Sequence, residues 1–227
     1  MRSSRVKVLF ISGIILLNIL YYGCSRNTTE PDQVVGSGRL VSQLRASNPF
    51  TGIQVTGVGK VIIKQDTVQT LVVQADDNII DRVTTSVSNG VLIVGLQQGS
   101  YSSITININV SMQAINRLEC IGTAEFLNSG QIQTDSIVCR ITGAGKITLT
   151  GTATQQTVQI TGAGDVHNFG LASSHCLAMI SGAGNVEVNV TQQLDAIING
   201  TGSVTYTGDP QVVNKTITGI GNISAGH

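Results

Sequence analysis

Three groups of side chains in this 227-residue sequence carry the chemistry for a reaction or a bound ion. The densest acids are Asp76, Asp77 and Asp81, in the run ADDNIID. Glu125, Lys146 and Asp165 stand at matching places along a repeat, and His167 and His175 are the internal histidines. Paired carboxylates could cleave a glycan as acid and base, or bind calcium through their oxygens. Histidine beside an acid or a cysteine could hold a transition metal or activate a nucleophile. The spacing favours neither. ADDNIID lacks the glycine and glutamate pattern of a calcium loop and reads as surface acids at a turn. Glu125, Lys146 and Asp165 alternate in sign, which predicts a solvated charge ladder. His167 and His175 have no Cys, Asp or Glu at metal-ligand spacing, and His227 is merely terminal. The expectation is therefore no catalytic residue, no metal and no cofactor.

The elements that must position these residues are written in the glycines. ITGAG occurs at 141–145 and 160–164, and returns as ISGAG at 180–184, INGTG at 198–202 and ITGIG at 217–221. The glycine pairs are Gly143 and Gly145, Gly162 and Gly164, Gly182 and Gly184, Gly200 and Gly202, Gly219 and Gly221, in steps of 19, 20, 18 and 19 residues. A degenerate copy starts at Gly122, with Ala124 replacing its second glycine. A phosphate-binding loop would be one such turn feeding a helix, whereas these each feed an apolar, strand-like run. Calcium-binding repeats have a period of about nine residues and a recurring Asp. Here Lys146, Asp165, Asn185, Ser203 and Asn222 occupy that place.

Columns read down the copies settle the architecture. Two residues before each first glycine stand Cys120, Ile141, Ile160, Ile180, Ile198 and Ile217; four after it stand Phe126, Ile147, Val166, Val186, Val204 and Ile223. Both columns are apolar and should stack inward. The residue just before the glycine is Ile121, Thr142, Thr161, Ser181, Asn199 or Thr218; apart from Ile121 the column is small and polar, which suits an outward ladder. A period of two within the coil and of about nineteen between coils predicts a right-handed parallel β-helix over residues 111–227. Glycine at each corner would tolerate positive φ and would let corners stack about 4.8 Å apart. With Ala124 in place of glycine, the first corner is expected to be looser. Cys120, Cys139 and Cys176 fall on the inward parity. A Cys120–Cys139 bridge would be two residues out of register, a diagonal of about 8 Å, so three buried thiols are expected.

Residues 49–110 alternate apolar and polar side chains, as half-buried strands do, and the whole of 49–227 reads as one all-β domain. Asn89-Gly90 marks a hairpin, and a short helical turn fits between Asp76 and Arg82. Residues 1–23 read as a lipoprotein signal peptide. Arg2, Arg5 and Lys7 precede an apolar core, and Gly23 precedes Cys24, the expected site of lipidation. Residues 24–48 are polar, contain Pro31, and read as a tether. Over the full chain 13 basic residues balance 13 acidic ones; without residues 1–23 the balance is ten to thirteen, or −3. That charge offers no footprint for nucleic acid. It also supplies no basic cluster for anionic lipid, so the membrane would be held through lipid on Cys24.

The opening Phe50-Thr51-Gly52-Ile53-Gln54-Val55, the middle Asn89-Gly90-Val91-Leu92-Ile93, the repeated S/T-G-x-G corners and Tyr206-Thr207-Gly208-Asp209-Pro210 resemble, in that order, the auto-transporter adhesin "head GIN" domain family. The resemblance implies adhesion and carries over no catalytic residue. The leading expectation is a non-catalytic, lipid-anchored envelope protein, in the outer membrane because Ser25 is not an inner-membrane-retaining Asp. Its β-helix would serve as an interaction or structural module for an unidentified protein or glycan partner. A glycan-binding module is the second reading, weakened by the lack of Trp and the few aromatics available for stacking. A β-helix polysaccharide lyase or hydrolase is the third. End-to-end self-association is the fourth, since Gly226-His227 follows the last coil without a capping helix.

The inward and outward columns make a direct prediction. Ile180→Asp buries a charge and is expected to cost several kcal/mol or to prevent folding, whereas Ser181→Asp leaves its carboxylate in solvent. Thermal melting of the two variants checks it; equal melting temperatures would overturn the inward–outward register.

Overall fold

In the computed structural model the described residues are 33–226. Residues 1–23, expected to be a signal peptide, and Cys24 lie outside the described residues. The first half of the chain contributes β1 (Val34–Val35), β2 (Leu40–Leu44), β3 (Gly52–Val55), β4 (Val58–Gln65), β5 (Thr70–Asp76), a 3-10 turn (Ile80–Arg82), β6 (Val83–Ser88), β7 (Val91–Leu96), β8 (Tyr101–Ser102) and β9 (Ile106–Met112). The second half contributes β10 (Arg117–Cys120), β11 (Thr123–Asn128), β12 (Ile132–Ile141), β13 (Ala144–Thr148), β14 (Gly151–Ile160), β15 (Ala163–Ile180), β16 (Ala183–Ile198), β17 (Thr201–Thr207), β18 (Val212–Ile217) and β19 (Ile220–Ala225).

These strands form a β-solenoid, as the columns predict. Before the glycine corner, a parallel ladder runs β7, β3, β10, β12, β14, then the second halves of β15 and β16, then β18. After the corner, a second runs β9, β4, β11, β13, then the first halves of β15 and β16, then β17 and β19. The apolar columns line the space between the ladders. Ile141, Ile160, Ile180 and Ile198 are fully buried, as are Phe126, Ile147, Val166, Val186 and Val204. Thr142, Thr161, Ser181, Asn199 and Thr218 are exposed, and the Thr218 hydroxyl donates to Asn199 Oδ1 at 2.8 Å. Ile217 departs from its column: it is 44% exposed, because among the described residues no coil stacks on β18 to cover it.

The first half of the chain is more than a prelude. Residues 55–59 read VTGVG, a corner motif placed 65 residues ahead of the one at Gly122. β3 and β4 flank it and stack directly under β10 and β11, so this is the true first coil. The chain then leaves the solenoid and returns. β7 and β9 add one more parallel layer, while β6 pairs antiparallel with β7, β5 with β9, and β2 with β5. Asn89 and Gly90, with φ of 51° and 72°, make the β6–β7 hairpin. The 3-10 turn places Ile79 and Ile80 in the core at this end, both buried. Antiparallel strands thus close the stack, since a reversed strand cannot continue a parallel coil.

Part of the expected tether is folded. Within 24–48, β1 pairs with β8 and β2 with β5, so the domain begins near Val34 and not at residue 49. The polar composition misled because β2 alternates exposed and half-buried residues, Leu40 and Leu44 outermost, and has little core to show in sequence.

The corners show which property of glycine matters. A Cβ at Gly162 would lie 2.1 Å from the Gly143 carbonyl oxygen, and one at Gly182 would lie 2.0 Å from that of Gly162. Neither first glycine has positive φ; the demand is space, because that carbonyl accepts the N–H of the residue after the next corner's glycine. Gly143 O accepts from Ala163 N at 2.9 Å, and Gly162 O from Ala183 N at 2.9 Å. The Ala124 corner is no looser, since Thr123 N donates to Gly57 O at the same 2.9 Å.

Gly162→Ala is therefore expected to lower stability by at least about 1–3 kcal/mol, the usual cost of forcing an atom into a filled site. Ala163→Gly, in the same corner but on a half-open edge, is expected to cost about 1 kcal/mol or less. Chemical denaturation of both variants checks the difference.

Candidate functional site

The outer face carries the polar residues singled out in sequence, and the stack decides how they meet. Lys60, Glu125, Lys146, Asp165, Asn185 and Ser203 form one row across adjacent strands. Lys60 Nζ lies 3.1 Å from Glu125 Oε2. Asp165 Oδ1 accepts from the backbone N–H and the side-chain amide of Asn185, at 2.9 and 3.0 Å. The Ser203 hydroxyl then donates to Asn185 Oδ1 at 2.7 Å. In the next outward row His167 Nδ1 and Glu187 Oε2 are 2.7 Å apart. Lys60, Glu125, Asp165, His167 and Glu187 are each engaged by a neighbour in an adjacent coil, whereas Lys146 stands in the row between Glu125 and Asp165 without an ion pair to either. Glu187 was not among the residues singled out; its signal is that His167 and Glu187 occupy the same place in successive repeats. Lys60 was missed because its coil was missed.

The interior holds the thiols. Cys120, Cys139 and Cys176 are free and buried. Leu118 faces Cys139 and Cys120 faces Ile141, the two-residue offset that keeps the first two cysteines apart. Burial pushes Cys139 up to about 12 and raises Cys176 further, so both remain neutral thiols that pack as small hydrophobes. Gln156 shares an inward column with Ile137 and Cys176, 1% exposed, and neither amide atom has a hydrogen-bond partner. Asn168, also buried, accepts Leu149 N–H at 2.9 Å. Among the described residues no group of three or more His, Cys, Asp or Glu is placed to hold a metal ion.

The acidic run ADDNIID corrects the sequence reading. Asp76 is 1% exposed, not solvated. Its Oδ1 accepts Gly38 N–H at 2.8 Å and its Oδ2 accepts Thr105 N–H at 2.7 Å. Asp77 pairs with Arg39 and the Ser37 hydroxyl. Ser37 first, and Arg39 after it, hold the Asp77 carboxyl below the usual range. Asn78 donates to Val35 O at 2.8 Å and accepts Ser37 N–H at 3.1 Å. This acidic turn is a clamp that fastens residues 35–39 to the closed end of the solenoid. No sequence signal revealed it, because the residues it binds lie some forty positions earlier. A shallow depression of about 340 Å³ lies beside the same end, between residues 46–48 and β6, over Leu71, Val87 and Leu92. It contains no ionisable side chain.

The comparisons with known proteins agree with this architecture. Residues 49–210 match the family described as "Putative auto-transporter adhesin, head GIN domain", and the chain belongs to that family. An adhesin-like crystal structure from Bacteroides fragilis aligns with a TM-score of 0.67 at 20% identity, covering 85% of this chain and 99% of that one. One from Parabacteroides merdae, described as "a putative adhesin", aligns with a TM-score of 0.51 at 20% identity, covering 86% and 100%. A third, described as "Putative lipid binding protein" from Parabacteroides distasonis, gives 0.50 at 21% identity, covering 86% and 100%. At these identities the likeness is one of fold. The search of curated proteins gives no match.

The Asp76 clamp can be tested by itself. Asp76→Ala leaves the Gly38 and Thr105 N–H groups without their acceptor and is expected to cost about 1–3 kcal/mol. Trypsin cleavage after Arg39, whose side chain is 80% exposed but whose segment is held, should then quicken relative to the parent. Melting and limited proteolysis of the variant check both effects.

Proposed function

We propose that this member of the head GIN family is a non-catalytic envelope protein, anchored by lipid on Cys24, whose solenoid is displayed as an interaction or structural module. The observation that carries the reading is the clamp on residues 35–39. The segment that leads in from Cys24 is fastened to the closed end by a buried carboxylate and two neighbouring polar side chains. A pull on the anchor would pass into the solenoid core and not into a loose arm. Nine residues lie between Cys24 and Val34, a span of at most about 35 Å when extended. The closed end would therefore stay near the lipid, leaving the outward ladders free for a protein or glycan.

The engaged ladders support a scaffold over an enzyme. Lys60–Glu125, Asp165–Asn185–Ser203 and His167–Glu187 each neutralise or satisfy their own neighbours. A general acid and base facing one substrate would instead need a raised and an ordinary carboxyl converging on one point. Adhesion is the role the family description proposes, and outer-membrane placement is the destination the Gly23-Cys24-Ser25 junction favours.

Cys24→Ala is expected to move the protein from the detergent phase to the aqueous phase on cell fractionation. The parent should yield an acyl-modified peptide beginning at Cys24. Unchanged partitioning together with an unmodified N-terminus in the parent would sink the lipid-anchor reading. Protease shaving of intact cells then separates surface display from a periplasmic orientation.

A further inference from the structure

The two ends of the solenoid differ. One is closed by β2, β5 and β6. At the other, β18 pairs only with β16 and β19 only with β17 among the described residues, so the final coil presents unpaired backbone groups. It also exposes Val212 (45%), Ile217 (44%) and Ile220 (75%). An open strand edge with exposed apolar side chains is a template for pairing with another chain.

One residue of that coil breaks the pattern of the interior. The column four residues before each corner glycine runs Ile53, Leu118, Cys139, Val158, Ala178 and Ala196, each directly over the last, and all are buried. The next member is Lys215, in register with Ala196. Its ammonium reaches across the end of the core. Nζ donates to Ile223 O at 2.9 Å and lies 5.4 Å from the centre of the Tyr206 ring. Tyr206 itself occupies an inward position, in register with Val188. A lysine over an aromatic ring thus closes the core where the stack stops.

We propose that Lys215 is an edge guard, which keeps the final coil from stacking on a second copy of this chain. A coil added beyond β18 would take the ammonium out of water while leaving it only one carbonyl and a ring face. A charge in that position is costly to bury unless it is paired. Two copies meeting through their final coils would bring two such lysines to one interface. The outermost strands of the closed end, β2 and β6, run antiparallel to the layer beneath, so a coil stacking in parallel register would add at the final coil. Inward-pointing charge is one of the devices by which open sheet edges are blunted.

The test compares the molar mass of the purified full chain with that of variants, by light scattering across a wide concentration range in one buffer and detergent. Lys215→Ile restores an apolar column and is expected to shift the protein from the parent's mass to twice that mass or more. Lys215→Arg keeps the charge and should keep the parent's mass. Adding Ile220→Lys to Lys215→Ile should reverse the association, because it places a new charge on the same edge. Thermal melting accompanies each measurement. If Lys215→Ile loses its cooperative melt, Lys215→Ala is read in its place with the same expectation. A cooperatively folded Lys215→Ile or Lys215→Ala with the parent's mass overturns the proposal. So does association that persists with Ile220→Lys, or a parent that is already paired through this edge and dissociates on Ile220→Lys.

Discussion

The carbonyl of each corner's first glycine accepts a hydrogen bond from the next corner, and that contact sets the geometry of the molecule. At Gly143 and Gly162 the bond is 2.9 Å, and the space a side chain would fill at the next first glycine is taken by that carbonyl. With the backbone packed on itself at every corner, the strands on either side are held in register. Register in turn fixes parity. Ile160 lies over Ile141, and Ile180 over Ile160, so a whole column is inward or outward together. A side chain at the corner would separate the coils locally and loosen both ladders. Glycine recurs there because a shared contact recurs, and no ligand is needed to account for it.

A stack of parallel coils has two ends, and each presents a different physical problem. At the first, the chain makes antiparallel strands from β2, β5 and β6 and buries Ile79 and Ile80 between them. Arg45 covers part of what remains, donating to Val83 O at 2.6 Å and to Ile80 O at 2.9 Å. That solution uses about fifty residues between β4 and β10. The other end relies on Tyr206 and Lys215 over the last turn of the core. The acidic clamp belongs to the first end, which places the incoming chain at the closed side of the solenoid.

The outer surface follows from the same regularity. Rows of side chains one coil apart are close enough to pair, which explains why Lys60 meets Glu125 and His167 meets Glu187. Such exposed pairs contribute little to stability individually. Their value is to give the flat faces a polar surface without an unpaired sheet edge along the length of the solenoid. The contrast with the cysteines is instructive. Those sit on the inward parity, where burial holds them neutral, and the offset of two residues between Cys120 and Cys139 keeps them apart.

The sequence by itself determined whatever depends on repetition. The glycine period, the inward Ile and Val columns, the outward hydroxyls, the parity of the thiols and the Asn89-Gly90 hairpin were all legible, because each is a local rule or a rule repeated at fixed spacing. Tertiary structure alone decided the rest. VTGVG at 55–59 went unrecognised as a corner because a long excursion separates it from the next copy, so it shows no period. Leu40–Leu44 looked like a tether because its partner is a strand some thirty residues later. Asp76 looked solvated because the N–H groups that bury it come from Gly38 and Thr105. Ile217 and Lys215 occupy inward places in a coil that no described strand covers, and only the stacking of the coils reveals what that parity means there. Periodic contacts leave a trace in a single sequence because one constraint acts many times; a contact made once between distant segments leaves none.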